Sequence, residues 1–244
     1  MKCLLIAAIS SHTNLVSLGR TLGRFRSWNR YCIAHERGEY ENIACQLLFH
    51  EGYGWASAIN ASARHMEGCT SLALFLDDTQ FVSLDPDEML SDMRRQNFDM
   101  ASPTVFGASW AHMTRKQPRS CVVTETNMIE YFTTFFSKRG WDCFSTMLSK
   151  NMANTVTRSL GWGYDLCQQA FCPELRFGVF HKYITRHTQN SHRWTYSGGG
   201  RRLSLRSISE RHTQEKKIRQ WVRIHLNTTC HTHSGISKNR VCVE

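Results

Sequence analysis

A ten-residue segment, LALFLDDTQF at residues 72–81, constrains the fold of this chain more than any other stretch. Its apolar run is typical of a β-strand that is buried on both faces, as in the sheet of an α/β protein. The run ends at two adjacent carboxylates, Asp77 and Asp78. Ligands of open α/β sheets bind outside the carboxyl ends of the strands, and a carboxylate pair there suits a divalent cation with a diphosphate. Under the alternative interpretation, both aspartates only cap the turn that follows.

The rest of the first 188 residues alternates short apolar runs with segments of helical periodicity. Predicted strands cover residues 4–9, 31–34, 45–49 and 100–105, and predicted helices cover residues 55–65 and 141–152. Residues 85–88, Asp-Pro-Asp-Glu, are a typical helix start, with Asp at the N-cap and acids near the positive end of the helix dipole. Strands interleaved with helices predict a three-layer α/β/α domain.

The positive charge of the chain is concentrated at its C-terminal end. Residues 188–244 carry eleven Lys and Arg against three acids, a net charge of +8, which leaves +2 of the total +10 for the rest. A glycine-rich joint, SGGGRR at residues 197–202, precedes a predicted amphipathic helix. The residues expected on the apolar face of that helix are Ile218, Trp221, Val222, His225 and Leu226. We therefore divide the chain into a main domain, residues 1–188, and a basic, partly flexible extension with one helix, residues 189–244.

Ten cysteines occur without any C-x-x-C pair, and several lie in apolar runs, where a reduced cysteine behaves as a small hydrophobe. We therefore expect a reducing compartment and a cytoplasmic location, with the Golgi lumen an alternative only if a membrane anchor lies outside this chain. Two N-x-S/T sequons, at Asn60 and Asn227, point the other way. No apolar segment approaches the roughly 20 residues that cross a bilayer. Residues 1–12, MKCLLIAAISSH, predict a first buried strand rather than a signal peptide.

Two further segments carry chemistry. In LGWGYDL, residues 160–166, glycines flank Trp162, and Asp165 follows Gly163 by two positions. Glycine permits close backbone approach, tryptophan offers an apolar platform for a sugar, and the acid is able to take a proton from a hydroxyl. The alternative is a glycine turn with Asp165 as an N-cap. At the end of the β-rich run FGVFHKYITRH, His187 suits a borderline cation such as manganese, although a lone histidine is more often structural.

The order of these motifs resembles that of nucleotide-sugar glycosyltransferases with the GT-A fold. More narrowly, the chain resembles the uncharacterised plant and bacterial family labelled lysine-ketoglutarate-reductase trans-splicing related. The residues that carry this resemblance, over about residues 2–188, are FLDDTQF, LDPDEML, FDMASP, SWAHMTR, IEYFTTFFSKRGWDC, GWGYDL and FGVFHKYITRH. The resemblance implies a GT-A-like α/β/α domain with a central mixed, mostly parallel sheet.

For the donor side, the resemblance implies that Asp77, Asp78 and Thr79 bind a nucleotide-diphosphate sugar. Asp78 and His187 would hold Mn²⁺ or Mg²⁺ against the diphosphate. The family motif is Asp-x-Asp, but its third position here is Thr79. Three outcomes stay open: Asp78 takes over the metal, Thr79 holds it through its hydroxyl or a water molecule, or the site is impaired.

For the acceptor side, the resemblance implies that Asp165 is the general base that deprotonates the acceptor hydroxyl. Trp162, Gly163 and Glu130 would line the site for a glycan or another hydroxyl acceptor. A separate base in this position favours inversion at the anomeric carbon.

A second hypothesis belongs to another functional class. The α/β domain would be a catalytically impaired transferase, and the basic extension would bind nucleic acid or another polyanion through its arginines and its aromatic residues, Trp194, Tyr196 and Trp221. A zinc site at Cys230, His231 and His233 is disfavoured, because the paired spacing of structural zinc sites is missing.

Overall fold

The computed structural model of the 244-residue chain describes residues 1–9, 13–34, 43–50, 55–106, 121–131, 133–154, 164–187, 205–230 and 241–243. The strands of these residues are β1 Lys2–Ile9, β2 Asn29–Ala34, β3 Gln46–Phe49, β4 Ser71–Leu76, β5 Thr79–Ser83, β6 Met100–Phe106, β7 Val123–Thr126, β8 Thr133–Ser137, β9 Phe177–His187 and β10 Val241–Val243. Their helices are α1 Leu15–Arg24, α2 Trp55–Ser62, α3 Pro86–Arg95, α4 Lys138–Asn154, α5 Gln168–Phe171 and α6 Leu205–Leu226. Short 3₁₀ turns cover Ala63–Met66 and Asp165–Cys167.

All the strands belong to one mixed sheet, in the order β10-β7-β9-β6-β8-β4-β1-β2-β3, with β5 pairing to β9 beside this path. The half made of β3, β2, β1 and β4 is parallel throughout. On the other side of β4, β8 runs antiparallel, while β6 and β9 are parallel to one another. The predicted mixed α/β sheet is confirmed, with its parallel order concentrated in the first half.

Strand β4 shows why the sheet needs helices on both faces. All six of its residues are buried, as the apolar run predicted. Leu72, Leu74 and Leu76 pack into one hydrophobic cluster, and the alternate residues Ala73 and Phe75 pack into another. Successive side chains of a strand point to opposite faces, so each cluster occupies one side of the sheet.

Each cluster is covered by its own helices, which confirms the three-layer prediction. Helices α2, α4 and α6 contribute Ile59, Phe144 and Val222, among others, to the first cluster. Helices α1 and α3 contribute Leu22 and Met89 to the second.

The predicted start of α3 is also confirmed. The side chain of Asp85 accepts hydrogen bonds from the backbone amides of Asp87 at 2.9 Å and Glu88 at 3.0 Å, and Pro86 opens the helix. This cap satisfies two amides that have no partner within the helix.

The prediction of reduced cysteines is wrong. All ten cysteines form disulfides, which are Cys3–Cys69, Cys32–Cys45, Cys121–Cys242, Cys143–Cys172 and Cys167–Cys230. Their Cα atoms lie 4.4 to 6.2 Å apart, which is the separation that a disulfide requires. Burial in apolar runs was a misleading signal, because a half-cystine is as apolar as a thiol. The argument for a cytoplasmic location loses its basis.

Helix α6, which belongs to the predicted basic extension, packs into the first hydrophobic cluster of the sheet. Ile218 and Val222 of α6 are buried in the first cluster, and Trp221 stacks on Phe171 with ring centroids 6.0 Å apart. His225, predicted on the same face, is exposed. The predicted joint at residues 197–202, like Trp194, Tyr196, His231 and His233, lies outside the described residues. Within the helices that the structure describes, none has the length and hydropathy needed to cross a membrane.

Candidate functional site

The two aspartates lie in the tight turn that joins β4 to β5. The backbone amide of Asp77 donates to the carbonyl oxygen of Ala7 in β1 at 3.2 Å. Because β4 and β1 are parallel neighbours, the pair sits at the carboxyl edge of the sheet. This is the edge at which α/β sheets bind ligands, as the sequence predicted.

Asp77 is held in an environment that favours its neutral form. Burial raises the pKa of Asp77 from 3.8 to about 7, and the adjacent negative charge of Asp78 acts in the same direction. A hydrogen bond from the hydroxyl of Thr13, 2.5 Å from Oδ2 of Asp77, opposes that rise in pKa. Thr13 follows the carboxyl end of β1, and the sequence analysis missed it. The sequence feature that indicated Thr13 was the polar run that follows the first apolar strand.

Asp78 and His187, the two predicted metal ligands, are brought together. The Nε2 atom of His187 lies 2.8 Å from Oδ2 of Asp78. The contact follows from the sheet, because β5 runs antiparallel to β9 and pairs Thr79 with His187. The side chains of Asp78 and His187 are 19% and 5% exposed, so water screens this pair only weakly.

Thr79, the departure from the family motif, is the first residue of β5 and only 3% exposed. Its backbone position opposite His187 gives it a clear structural part in placing the histidine. Its predicted part in donor binding stays a prediction.

The donor set has the right chemistry for a manganese or magnesium ion, since carboxylate oxygen and imidazole nitrogen are both suitable ligands. Across the residues that the structure describes, however, no group of three or more His, Cys, Asp or Glu side chains is placed to share one metal ion. Asp78 and His187 contact one another, so a cation would take the place of that contact.

The residues predicted to bind the acceptor are only partly described. Trp162 and Gly163 lie outside the described residues. Asp165 begins a 3₁₀ turn, is half-buried, and accepts a hydrogen bond from the backbone amide of Leu166 at 3.0 Å. Glu130 is 6% exposed in the segment between β7 and β8.

Gln168 joins the segment that carries Asp165 to the segment that carries Glu130. Its side-chain amide donates to the carbonyl oxygen of Ile129 at 2.6 Å, and its side-chain oxygen accepts from the Ile129 amide at 3.1 Å. Tyr131 is buried beside this bridge. Burial raises the pKa of Tyr131 well above its ordinary value, and the negative charge of Asp165 adds to the rise. Asp165 therefore lies near Glu130 and Tyr131, although the sequence separates them widely.

The segments predicted to bind the donor and the acceptor lie at one edge of the sheet. Strand β8 runs antiparallel to β4, with Thr133 opposite Phe75. Two segments therefore lie beyond the same end of these paired strands. They are residues 130–131, which precede β8, and residues 77–78, which follow β4.

Gln168 and Tyr131 were not identified from the sequence. For Gln168, the available signal was its spacing of three residues from Asp165, which is typical of one helical face.

No protein-family model matches the sequence, and no curated protein matches it. The narrower resemblance to the lysine-ketoglutarate-reductase trans-splicing related family therefore has no support. Nothing among the described residues favours the nucleic-acid hypothesis.

Solved structures do match. The crystal structure of S. aureus TarS is 10% identical over 96% of this chain and 41% of that chain, with a TM-score of 0.56. TarS 1-349 is 9% identical over 96% of this chain and 68% of that one, with a TM-score of 0.58. GalNAc-T7 with UDP, GalNAc and Mn²⁺ is 9% identical over 92% of this chain and 48% of that one, with a TM-score of 0.57. This chain thus spans less than half of the longer TarS chain and of GalNAc-T7. At such identities the likeness concerns the fold alone, and that fold is the mixed α/β fold of GT-A-type glycosyltransferases.

Proposed function

We propose that this protein is a glycosyltransferase that moves a sugar from a nucleotide-diphosphate donor to an acceptor hydroxyl. The observation that carries the proposal is the contact between Asp78 and His187 at the carboxyl edge of the sheet. The edge also bears Asp77, and the Asp165 segment is tied to the same edge through Gln168. The GT-A-type fold supports this reading, because chemistry in such sheets takes place beyond the strand ends.

On the donor side, Asp78 and His187 would hold Mn²⁺ or Mg²⁺, and Asp77 and Thr79 would line the donor site beside them. When bound, this cation supplies positive charge that stabilises the diphosphate as it leaves the sugar. The raised pKa of Asp77 means that, without a bound cation, the site carries less negative charge than two ionised aspartates would. Thr13, through its bond to Asp77, orients that carboxyl toward the β1 end of the edge.

On the acceptor side, the Asp165 carboxylate would accept the proton of the attacking hydroxyl. Gln168 fixes the segment that carries Tyr131, and Tyr131 stays uncharged beside the base. The oxygen freed of its proton attacks the anomeric carbon while the bond from that carbon to the diphosphate breaks. With the base and the leaving group on opposite sides of the sugar, the configuration inverts. We also propose that Trp162 and Gly163 line the site of the acceptor sugar. Glu130 would form another part of the wall of that site.

The test is thermal unfolding with a panel of nucleoside diphosphates and nucleotide sugars, with and without Mn²⁺. We expect one nucleotide sugar at 100 times its dissociation constant to raise the melting temperature by roughly 5–10 °C, and only with the metal present. Asp78→Asn should abolish the shift.

Asp142→Asn is the matched control, because Asp142 is 54% exposed on α4 and pairs only with Lys138 among the contacts observed. It should leave the shift unchanged. Absence of a shift with every nucleotide, or a shift that persists in Asp78→Asn, would refute the proposed donor site.

A further inference from the structure

The two N-x-S/T sequons of the chain occupy different structural settings. The triplet at residues 60–62 begins with Asn60, and the triplet at residues 227–229 begins with Asn227. Such a triplet is an acceptor for an N-linked glycan only in a chain that enters a secretory compartment, and only at a position where a bulky glycan fits on the folded surface.

The cysteines supply evidence about the compartment that is independent of the sequons. All ten are paired, in loops that span from 13 to 121 residues. Disulfides of this number form and persist in oxidising compartments such as the lumen of the endoplasmic reticulum. One of them, Cys167–Cys230, has its second cysteine three residues beyond Asn227.

Asn227 is placed where a glycan fits. It is the first residue after α6, and both Asn227 and Thr229 are exposed. Its φ of 49° lies in the left-handed region that commonly ends a helix, and asparagine tolerates this conformation better than most residues. A glycan attached there extends from the end of a helix into solvent.

Asn60 is placed where a glycan does not fit as readily. It lies inside α2 and is half-buried. The third residue of its triplet, Ser62, is 4% exposed, and its hydroxyl donates to the carbonyl oxygen of Ala58 at 2.8 Å. The hydroxyl that identifies the sequon is thus part of the folded helix.

We propose that Asn227 is N-glycosylated and that Asn60 is not. The Nδ2 atom of Asn227 forms a bond to the anomeric carbon of an oligosaccharide carried on a lipid diphosphate. The bond from that carbon to the diphosphate breaks, the lipid diphosphate leaves, and the amide gives up one proton to a base of the transferring enzyme. The modification is independent of the glycosyltransferase activity proposed above.

The experiment expresses the full 244-residue chain behind a secretion leader in cultured eukaryotic cells. The readouts are gel mobility before and after digestion with an N-glycan-removing amidase, and peptide mass, in which a glycosylated Asn227 becomes Asp on digestion. We expect one discrete mobility step in the wild type. Asn227→Gln and Thr229→Ala should both lose it completely, whereas Thr229→Ser should keep it.

Asn60→Gln and Ser62→Ala are the matched controls and should keep the full step. Because cell-retained protein is analysed together with secreted protein, a variant that folds poorly still gives an answer. A wild-type chain without glycan at Asn227 would overturn the proposal, and so would a mobility step that depends on Asn60.

Discussion

The Nε2 atom of His187 lies 2.8 Å from Oδ2 of Asp78, and the pairing of two strands brings them together. Strand β5 begins immediately after Asp78 and runs antiparallel to β9. Its first residue, Thr79, therefore lies opposite His187, the last residue of β9. The histidine at the end of β9 is thereby placed beside an acid in the turn that follows the parallel strand β4. Any ligand that binds the acid pair must therefore either contact this imidazole or displace it from Asp78.

We expect His187→Gln to weaken the binding of Mn²⁺ with the donor by at least about tenfold, because one nitrogen donor is lost and Asp78 loses its neighbour. Titration calorimetry with Mn²⁺ and the nucleotide identified by thermal unfolding provides the measurement. His225→Gln is the control, since His225 is exposed on α6. Equal affinities in wild type and His187→Gln would show that His187 is structural.

We expect Asp165→Asn to lower kcat about 10²- to 10⁴-fold, because the amide is unable to accept the acceptor proton. Donor affinity should stay within a factor of about two, since the proposal assigns Asp165 to the acceptor side. Initial rates of sugar transfer and donor titrations measure the two quantities separately. A variant with normal kcat would remove Asp165 from the role of base.

A half-buried histidine outside the site predicts a dependence of stability on pH. The two ring nitrogens of His181 lie 3.0 Å from the hydroxyl of Thr104 and 2.7 Å from that of Thr124. Burial lowers the pKa of His181 from 6.5 to about 4. The unfolded chain therefore binds a proton at higher pH than the folded protein, and stability falls as the pH drops from about 6.5 to about 4.

After allowance for solvent screening, His181 should cost the folded protein about 1–2 kcal/mol at the acid end of this window. In His181→Gln this part of the loss should disappear, so the difference in stability between pH 7 and pH 4.5 should shrink. Urea unfolding at the two pH values tests it. His225→Gln, at an exposed site, is the control and should keep the pH dependence of the wild type. If His181→Gln keeps it as well, the interpretation fails.

Gly140 predicts a packing defect. A Cβ atom at this position would lie 2.3 Å from the carbonyl oxygen of Asp99, which also accepts a hydrogen bond from the Ser137 amide at 2.8 Å. Gly140→Ala should therefore lower the free energy of unfolding by about 1–3 kcal/mol. Gly19→Ala in α1 is the matched control, because nothing lies within 4 Å of its Cβ. That variant should be neutral or stabilising by up to about 1 kcal/mol, and equal losses in both would contradict the packing argument.

The layers of the fold and the position of the two aspartates at the carboxyl edge of the sheet were predictable, because the sequence signals for them are local. The apolar run of β4 and the Asp-Pro-Asp-Glu start of α3 each depend on a few consecutive residues. Asp78 and His187 were named together only through a resemblance of motif order. The strand pairing that brings them into contact leaves no local trace in either segment.

The disulfides were missed for a related physical reason. Cys3 and Cys69 meet because β1 pairs with β4 in a register that sets Lys2 opposite Ser71. Cys32 and Cys45 likewise depend on the register of β2 with β3. Register is a property of the assembled sheet, so spacing along the chain did not indicate which cysteines pair.

Two disulfides are attached within seven residues after Asp165. Cys167 is joined to Cys230 beyond α6, and Cys172 is joined to Cys143 in α4. A thiol reductant added during purification would break both disulfides at once and remove this support from Asp165, the proposed base. Protein purified in reducing buffer and protein purified in air are thus different chemical species. Inactivity of the reduced protein would not show that the disulfide-bonded protein is inactive.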